Sequence, residues 1–334
     1  MLPDNIENIF PAANPPLVSI IAICYNHSRF VLECLESIRA QTYINTELII
    51  MDDCSEDDSV ALIRNWIEQY SVKCTFIAHA ENKGVVKTLN EALSCSKGEY
   101  ISMISTDDSW LPNKIEKQMA VMHGCSEQVA VVYSDAAEID EWGNRLPVNY
   151  IEQQYIDQPF LSKYKDIPIT AIPQEHYFTA LVDGNFIPAM ATIVRRKAVF
   201  AIGGYDERLT YEDYDMWLRL ACKYEFVFCP GVVANYRVLS TSMVRSYICK
   251  HTPDNDFTQF LLHEKCWDGP LTILQRLRWA VIQWAHAFSL YKFEDPRARW
   301  CLYRTFIRTL NPCAFLLAVI PLKFTRVIKL LLTR

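Results

Sequence analysis

Three pairs of adjacent acidic residues carry the chemistry that this sequence could perform. They are Asp52-Asp53, Asp107-Asp108 and Glu212-Asp213. Adjacent carboxylates repel each other unless a cation or protons come between them. Carboxylate oxygens suit Mg²⁺ or Mn²⁺, which usually bridge the phosphates of a substrate. Together the pairs indicate a metal-dependent enzyme with a phosphorylated substrate, although each pair alone could simply serve the start of the following helix.

The segments around these pairs predict a mainly parallel sheet. Four short apolar runs, at residues 18–24, 47–51, 100–105 and 129–133, suit strands that are buried on both faces. Helical patterns lie between them at 29–41, 57–70, 85–95 and 112–123, with Ser55 as the expected cap of the second helix. Such sheets bind ligands at the carboxyl ends of their strands, so Asp53 and Asp108 are expected at the same edge.

Composition excludes several classes of protein. The 334 residues are 51% hydrophobic and 22% charged, which rules out wholesale disorder. The 9 glycines form no GxG arrangement, so the dinucleotide fingerprint and the phosphate-binding P-loop are both absent. The 12 cysteines are scattered and form no CxxC, and the N-terminus has no signal-peptide pattern. We therefore expect reduced thiols and a cytoplasmic protein.

Charge is distributed unevenly along the chain. The last acidic residue is Asp295, and residues 296–334 contain eight basic residues. The preceding 295 residues carry 25 basic and 39 acidic residues, a charge of -14. An acidic body with a basic, apolar tail argues against nucleic-acid binding and favours contact with an anionic membrane surface.

Five ordered blocks resemble the inverting family 2 glycosyltransferases, which have the GT-A fold. The blocks are VSIIAICYNHSRFVLECLESIRAQTY, ELIIMDDCSEDDS, ENKGVVKTLNEAL, GEYISMISTDDSWLPNKIEKQ and GGYDERLTYEDYDMWLRLA. They are specific for the family but not for a sugar. The resemblance implies an α/β fold of the Rossmann-like GT-A type, with a mainly parallel sheet flanked by helices and a C-terminal helical extension. It also implies a nucleotide-sugar donor.

The resemblance assigns residues to the nucleotide. Tyr25 and Asn26 would lie beside the base, and Asp53 would hydrogen-bond it. The family's NxG…N pattern over the nucleotide is matched by Asn82, Gly84 and Asn90. Members often have an arginine just before that last asparagine, where this chain has Leu89. Lys83 or Lys87 would then supply the positive charge.

The resemblance also implies a metal site. Asp108 would ligate Mg²⁺ or Mn²⁺, and Asp107 would contact the ribose or the metal. Many members have a further aspartate where Ser105 stands and a histidine where Leu239 stands. The metal would therefore depend more on the diphosphate and less on protein ligands.

Asp213 matches the second residue of the family's ED pair, the presumed general base. It lies at the start of a predicted helix, where the helix dipole favours the ionised carboxylate. A carboxylate opposite the leaving group can take the proton of an acceptor hydroxyl, while the metal stabilises the departing diphosphate. This geometry implies a single displacement with inversion.

The chain divides by pattern into a leader at 1–15, a catalytic domain at 16–240 and a helical region at 241–334. Residues 322–334 can place apolar side chains on one face and basic ones on another, which is typical of a helix lying on anionic lipid. Packing of this segment on the catalytic domain or on a second subunit is the alternative. We expect a peripheral protein on the inner face of the membrane. It would transfer a sugar from a UDP-sugar to a hydroxyl of a glycan or lipid-linked glycan, in surface polysaccharide synthesis of the O-antigen or capsule type.

Two other functions remain open at this point. A sugar nucleotidyltransferase also uses strand-end aspartates and Mg²⁺, but it would have a glycine-rich basic loop where this chain has CYNHSRF. A nucleotide-sugar binding protein that has lost catalysis is the second. The residues Ser105 and Leu239, at positions where relatives carry metal ligands, favour this reading.

Overall fold

The computed structural model describes residues 15–158, 177–210, 212–239 and 252–319. Nearly all of the predicted leader and all of the predicted amphipathic segment 322–334 lie outside these ranges. The chain forms two compact units. One comprises Met1–Asp206 and Glu212–Leu239, and the other comprises Glu207–Tyr211 and Ser240–Arg334.

The first unit is built on one sheet. Its strands in the described residues are β1 Val18–Cys24, β2 Thr46–Asp52, β3 Cys74–Ala78, β4 Tyr100–Ser105, β5 Ser109–Trp110, β6 Val129–Ile139, β7 Arg145–Asn149, β8 Thr192–Arg195 and β9 Glu225–Arg237. Their order is β3-β2-β1-β4-β8-β6-β9-β5, with β7 paired to β6. β3, β2, β1 and β4 run parallel, β8 is antiparallel to both of its neighbours, and β6 is parallel to β9. The prediction of a mainly parallel sheet is confirmed.

Helices cover this sheet. They are α1 Val31–Arg39, α2 Ser59–Tyr70, α3 Val85–Cys95, α4 Lys114–His123, α5 Tyr150–Asp157, α6 Tyr177–Asp183, α7 Arg196–Ala201 and α8 Asp213–Ala221. The apolar side chains of α1 repeat with helical spacing, so Val31, Leu35 and Ile38 are buried in the core that β1 and β2 also share. This packing fixes the loops that follow the strands.

The structure corrects two local predictions. Ser55 does not cap α2, because its backbone N–H and its Oγ both donate to the Asp52 carboxylate, at 2.8 and 2.6 Å. No local pattern predicted β3, which lies at the edge of the sheet and has side chains that are partly buried or exposed. An edge strand with this burial lacks the continuous apolar run that marked the others.

The second unit is helical, as predicted. It contains α9 Pro253–Cys266, α10 Ile273–Lys292, α11 Ala298–Thr309 and α12 Pro312–Val319. Its core includes Phe260, Leu290 and Leu302. Thr272 and Gln275 form a reciprocal capping box at the start of α10. Among the described residues, no helix combines the length and the apolar character needed to cross a membrane.

Candidate active site

The loop after β1 is joined to the loop after β2. Asn26 has a left-handed backbone with φ of 57°. Its N–H donates to Ser55 Oγ at 2.8 Å, and its Oδ1 accepts from the N–H of Glu56 at 2.8 Å. Tyr25 beside it is exposed. Asn26 therefore shapes the loop with its own side chain and leaves the Tyr25 ring free at the strand-end edge.

Asp53 organises the segment that follows β3. Its Oδ1 accepts from the N–H of Lys83 at 2.8 Å, and its Oδ2 accepts from the N–H of Gly84 at 2.8 Å. His79 Nδ1 lies 2.9 Å from Oδ1. Burial alone would raise the pKa of Asp53, but the hydrogen bonds from His79, Lys83 and Gly84 outweigh it and lower the pKa. The carboxylate is therefore held in its ionised form.

The remaining predicted nucleotide residues surround Asp53 or support a nearby turn. Asn82 Nδ2 donates to the carbonyl oxygen of Asp53 at 3.2 Å. Lys83 Nζ is 2.8 Å from Glu91 Oε2, so its charge is paired locally. Asn90 instead holds Tyr205, accepting from its N–H at 2.9 Å and donating to its carbonyl at 3.0 Å. The structure thus gathers Asn82, Lys83 and Gly84 around Asp53 and gives Asn90 a different neighbour.

Asp107 and Asp108 follow the end of β4 after one intervening residue, Thr106. Asp107 Oδ1 is buried and accepts no hydrogen bond within the part of the chain that the structure describes. Asp108 is also buried, and its Oδ1 accepts from the N–H of Arg237 at 2.8 Å. Burial and the charge of Asp107 raise the pKa of Asp108 well above its usual range, against the opposing effect of Arg237. The charge of Arg237 therefore only partly offsets burial and the charge of Asp107, and His27 Nδ1 lies 3.8 Å from Asp107 Oδ1.

Arg237 and Glu33 complete this cluster, and the sequence analysis did not identify either. Arg237 Nε donates to the carbonyl of Asp107 at 2.8 Å, and its Nη2 donates to Glu33 Oε2 at 2.6 Å. The guanidinium carbon lies 4.6 Å from the ring centroid of Phe30. Arg237 thereby joins the end of β9 to the loop that contains Asp107 and Asp108. No local pattern marks this contact, because Glu33 and Arg237 are 204 residues apart in the sequence.

Asp213 is the first residue of α8. Its Oδ1 accepts from the N–H of Tyr214 at 2.7 Å, and its Oδ2 accepts from Asn185 Nδ2 at 3.0 Å. Burial nevertheless raises the pKa of Asp213, so the expected effect of the helix start is outweighed. Burial and the charge of Asp213 also raise the pKa of Glu212. A carboxylate with a raised pKa is a stronger base than an exposed aspartate.

The charges of Asp213 and of the Asp107-Asp108 pair act on the same two tyrosines. Tyr150 and Tyr236 pack edge to face, with their ring centroids 5.3 Å apart. The pKa of Tyr150 is raised by burial and then by the charge of Asp213, with a smaller effect of Asp108. The pKa of Tyr236 is raised by burial and then by Asp108 and Asp107, with a smaller effect of Asp213. Both acidic sites therefore act on the same pair of rings.

The acidic residues fit a divalent cation that takes part of its coordination from a ligand. No cluster of three or more His, Cys, Asp or Glu able to hold a metal occurs within the described ranges. Two adjacent carboxylates, one with a buried oxygen that lacks a hydrogen bond, match the oxygen chemistry that Mg²⁺ and Mn²⁺ prefer. Such an ion would need further oxygens from phosphates and water.

The sequence matches known glycosyltransferases. Residues 19–180 match the family model described as Glycosyl transferase family 2. An uncharacterized glycosyltransferase of Rickettsia typhi is 30% identical over 269 residues, which cover 80% of this chain and 76% of that relative.

Solved structures show the same fold. TarS from S. aureus, in complex with UDP-GlcNAc, is 15% identical with a TM-score of 0.61, and the alignment covers 90% of this chain and 88% of that one. The mannosyltransferase PcManGT from Pyrobaculum calidifontis, in complex with GDP-Man and Mn²⁺, is 18% identical with a TM-score of 0.57, covering 92% of this chain and 79% of that one. These similarities confirm the predicted GT-A fold. The chain belongs to glycosyltransferase family 2 and is a glycosyltransferase.

Proposed function

We propose that this enzyme transfers a sugar with inversion from a nucleoside diphosphate donor, of the UDP-sugar class, to a hydroxyl of a glycan or lipid-linked glycan. The observation that supports this most is the shared surroundings of Asp213 and Asp108. Their charges act on the same tyrosine pair, Tyr150 and Tyr236. A single displacement requires a proton acceptor that acts near a phosphate-side acidic pair.

The nucleotide would bind at the strand-end edge formed by the loops after β1, β2 and β3. Tyr25 offers an exposed ring for stacking on the base. The ionised Asp53 is an acceptor for a base N–H, and Asn82, Lys83 and Gly84 lie around it. The UDP-GlcNAc found in TarS supports a donor of this class.

Asp108 would hold Mg²⁺ or Mn²⁺, with Asp107 beside it, and the Mn²⁺ found in PcManGT supports this cofactor. When bound, the cation stabilises the negative charge that grows on the leaving diphosphate. Arg237 fixes the loop through the Asp107 carbonyl and keeps Asp108 Oδ1 in place with its backbone N–H. These contacts reduce the reorganisation that donor binding requires.

Asp213 would act as the base. The acceptor oxygen forms a bond to the anomeric carbon while the bond from that carbon to the diphosphate oxygen breaks, and the bonding pair leaves with the nucleotide. The acceptor proton passes to Asp213. Asn185 and the N–H of Tyr214 each bind one carboxylate oxygen, which fixes the direction of the remaining lone pairs. Attack from the face opposite the leaving group inverts the anomeric centre.

We place the reaction at the inner face of a membrane, in surface polysaccharide synthesis. The acid-free, basic stretch after Asp295 supports attraction to anionic lipid. The amphipathic pattern of residues 322–334 supports a peripheral contact there. A membrane-bound enzyme would meet a lipid-linked acceptor directly.

A thermal-shift panel of nucleoside diphosphates, with and without Mn²⁺, identifies the donor class, because a ligand of the folded state raises Tm. The sugar nucleotides of the best base are then tested for transfer. Asp108→Ala should abolish the metal-dependent part of diphosphate binding measured by calorimetry and leave nucleoside binding intact. Unchanged metal-dependent affinity in this variant would refute the metal assignment.

The same assays separate the two rival functions. Tight donor binding with neither transfer nor donor hydrolysis in Mn²⁺ would identify a binding protein that has lost catalysis, as the residues Ser105 and Leu239 allow. Release of pyrophosphate from a nucleoside triphosphate and a sugar phosphate would identify a nucleotidyltransferase.

A further inference from the structure

An apolar ridge lies on the exposed side of α10. It consists of Ile273, Leu274, Leu277 and Val281, whose exposed fractions are 78%, 78%, 60% and 68%. At 3.6 residues per turn, these four side chains fall within one side of the helix. A contiguous exposed patch of large aliphatic side chains is rare in proteins that meet only water, whereas scattered single ones are common.

The exposure of this ridge is a property of a well-formed helix. Thr272 and Gln275 form the capping box that begins α10. The opposite side of the helix is buried through Gln275, Trp279 and Gln283. α10 is therefore anchored along its length, and the ridge faces outward because the other face packs in the second unit.

The charges along the helix are all of one sign. The charged residues of α10 are Arg276, Arg278 and Lys292, and α11 adds Arg299, Arg304 and Arg308. Neither helix contains Asp or Glu. Arg304 and Arg308 are paired with Glu264 and Asp268 of the same unit. The ridge is thus an aliphatic surface on a basic helix, which is the composition that binds at an anionic lipid interface.

We propose that the ridge inserts into the headgroup region of a membrane containing anionic lipid. This extends the peripheral attachment proposed above and rests on it, but it places the contact in α10 instead of residues 322–334 alone. A second copy of the chain is a poorer occupant. A two-fold interface would bring the basic residues of α10 against themselves, with no acidic residue on the helix to pair with them.

The test uses the full chain and vesicles of equimolar phosphatidylcholine and phosphatidylglycerol. The variant Leu274→Ser with Leu277→Ser should reduce partitioning by at least tenfold, because it removes two of the four inserting side chains. The matched control, Ile44→Ser with Ile156→Ser, replaces two equally apolar exposed residues of the first unit and should bind like the wild type. Circular dichroism verifies that both variants are folded. Weaker binding of the wild type to pure phosphatidylcholine is expected as well.

If the Leu274→Ser, Leu277→Ser variant binds the vesicles as strongly as the wild type does, the proposal is overturned. A ridge variant that binds vesicles normally but loses a dimer seen by light scattering would assign the ridge to self-association, and would also overturn the proposal.

Deleting residues 320–334 separates the two membrane contacts, since the ridge should retain measurable vesicle binding without these residues. Loss of all binding in that deletion would overturn the ridge. Donor affinity, measured separately by calorimetry, should be the same in every variant. If the wild type does not bind a donor at all, the proposed sugar transfer is refuted, but the proposal for the ridge is not affected.

Discussion

The two sides of the candidate site differ in how their carboxylates are satisfied. On the proposed nucleotide side, both oxygens of Asp53 accept backbone hydrogen bonds, and its pKa is lowered. On the proposed reacting side, Asp108 and Asp213 are each buried next to another acidic residue, and both have raised pKa values. Asp53 keeps its negative charge without a cation. The proposed reacting side gains from a cation or a proton, which is typical of groups that take part in chemistry.

The cause of the difference is local. The segment after β3 turns back onto Asp53 and offers it two N–H groups, and Gly84 allows this turn with its φ of 83°. Asp108 accepts a hydrogen bond from the N–H of Arg237, but its neighbour Asp107 is negatively charged. Asp53 is thus satisfied within the protein, whereas Asp107 keeps a buried oxygen that accepts no hydrogen bond among the described residues.

The largest effect is expected at Asp213. Asp213→Asn keeps the size of the side chain but removes the proton acceptor, so transfer should fall by roughly 10²–10⁴-fold. The loss should appear in kcat and kcat/KM together, while donor affinity measured by calorimetry stays near that of the wild type. Glu212→Gln is the control and should cost much less. A folded Asp213→Asn enzyme with nearly normal initial rates would remove Asp213 from the reaction.

Replacing Asp53 should lower the stability of the fold, whereas replacing Asp213 should lower the rate of transfer. Asp53→Asn replaces an ionised acceptor by an amide, so we expect a loss of about 2 kcal/mol in the free energy of unfolding at neutral pH. Because the folded state lowers the pKa of Asp53, its contribution is present above the unfolded-state pKa and is lost as pH falls through the folded-state pKa. The difference between wild type and variant should therefore shrink on acidification.

Urea unfolding at several pH values measures this difference. Asp58→Asn is the matched control, since Asp58 is an exposed aspartate just before α2 whose side chain makes no capping hydrogen bond. It should change stability little at any pH. A difference for Asp53→Asn that grows as pH falls would contradict the role of Asp53 as a satisfied, ionised acceptor.

The smallest effect is expected at Asn185. Its amide stabilises the ionised form of Asp213, so Asn185→Ala should raise the pKa of Asp213 further. The rate falls on the acid side as Asp213 becomes protonated, and this limb of the kcat/KM profile should move to higher pH in the variant. The optimal rate should fall only about fivefold, as expected for one hydrogen bond. If the acid limb of the kcat/KM profile does not move, Asn185 does not influence the pKa of the base.

The sequence predicted the parts of this molecule that are encoded locally. Strands β1, β2, β4 and β6 each contain one of the short apolar runs. Helices α1 to α4 repeat their apolar residues with helical spacing. The order of these elements places Asp53 and Asp108 at strand ends. The resemblance to glycosyltransferases is confirmed by the match of residues 19–180, which span most of the first four blocks.

The parts that were missed depend on long-range contacts. Tyr150 directly follows β7, and it meets Tyr236 of β9 because β7 and β9 both pair with β6. Arg237 reaches Glu33 across the acidic loop. Asn185 follows a stretch without periodicity, so nothing near it in the sequence indicates a contact with Asp213. Ser55 was misassigned because serine before a helix resembles a cap, whereas the Asp52 carboxylate competes for it.

The stereochemistry of transfer tests the central claim most directly. The proposed mechanism has one base, Asp213, and no protein nucleophile, so the sugar must be transferred in a single displacement. Proton NMR of the first product formed from an anomerically pure nucleotide sugar should show the opposite anomeric configuration to that of the donor. Retained configuration would require a second displacement or a different attacking group, and would contradict the account.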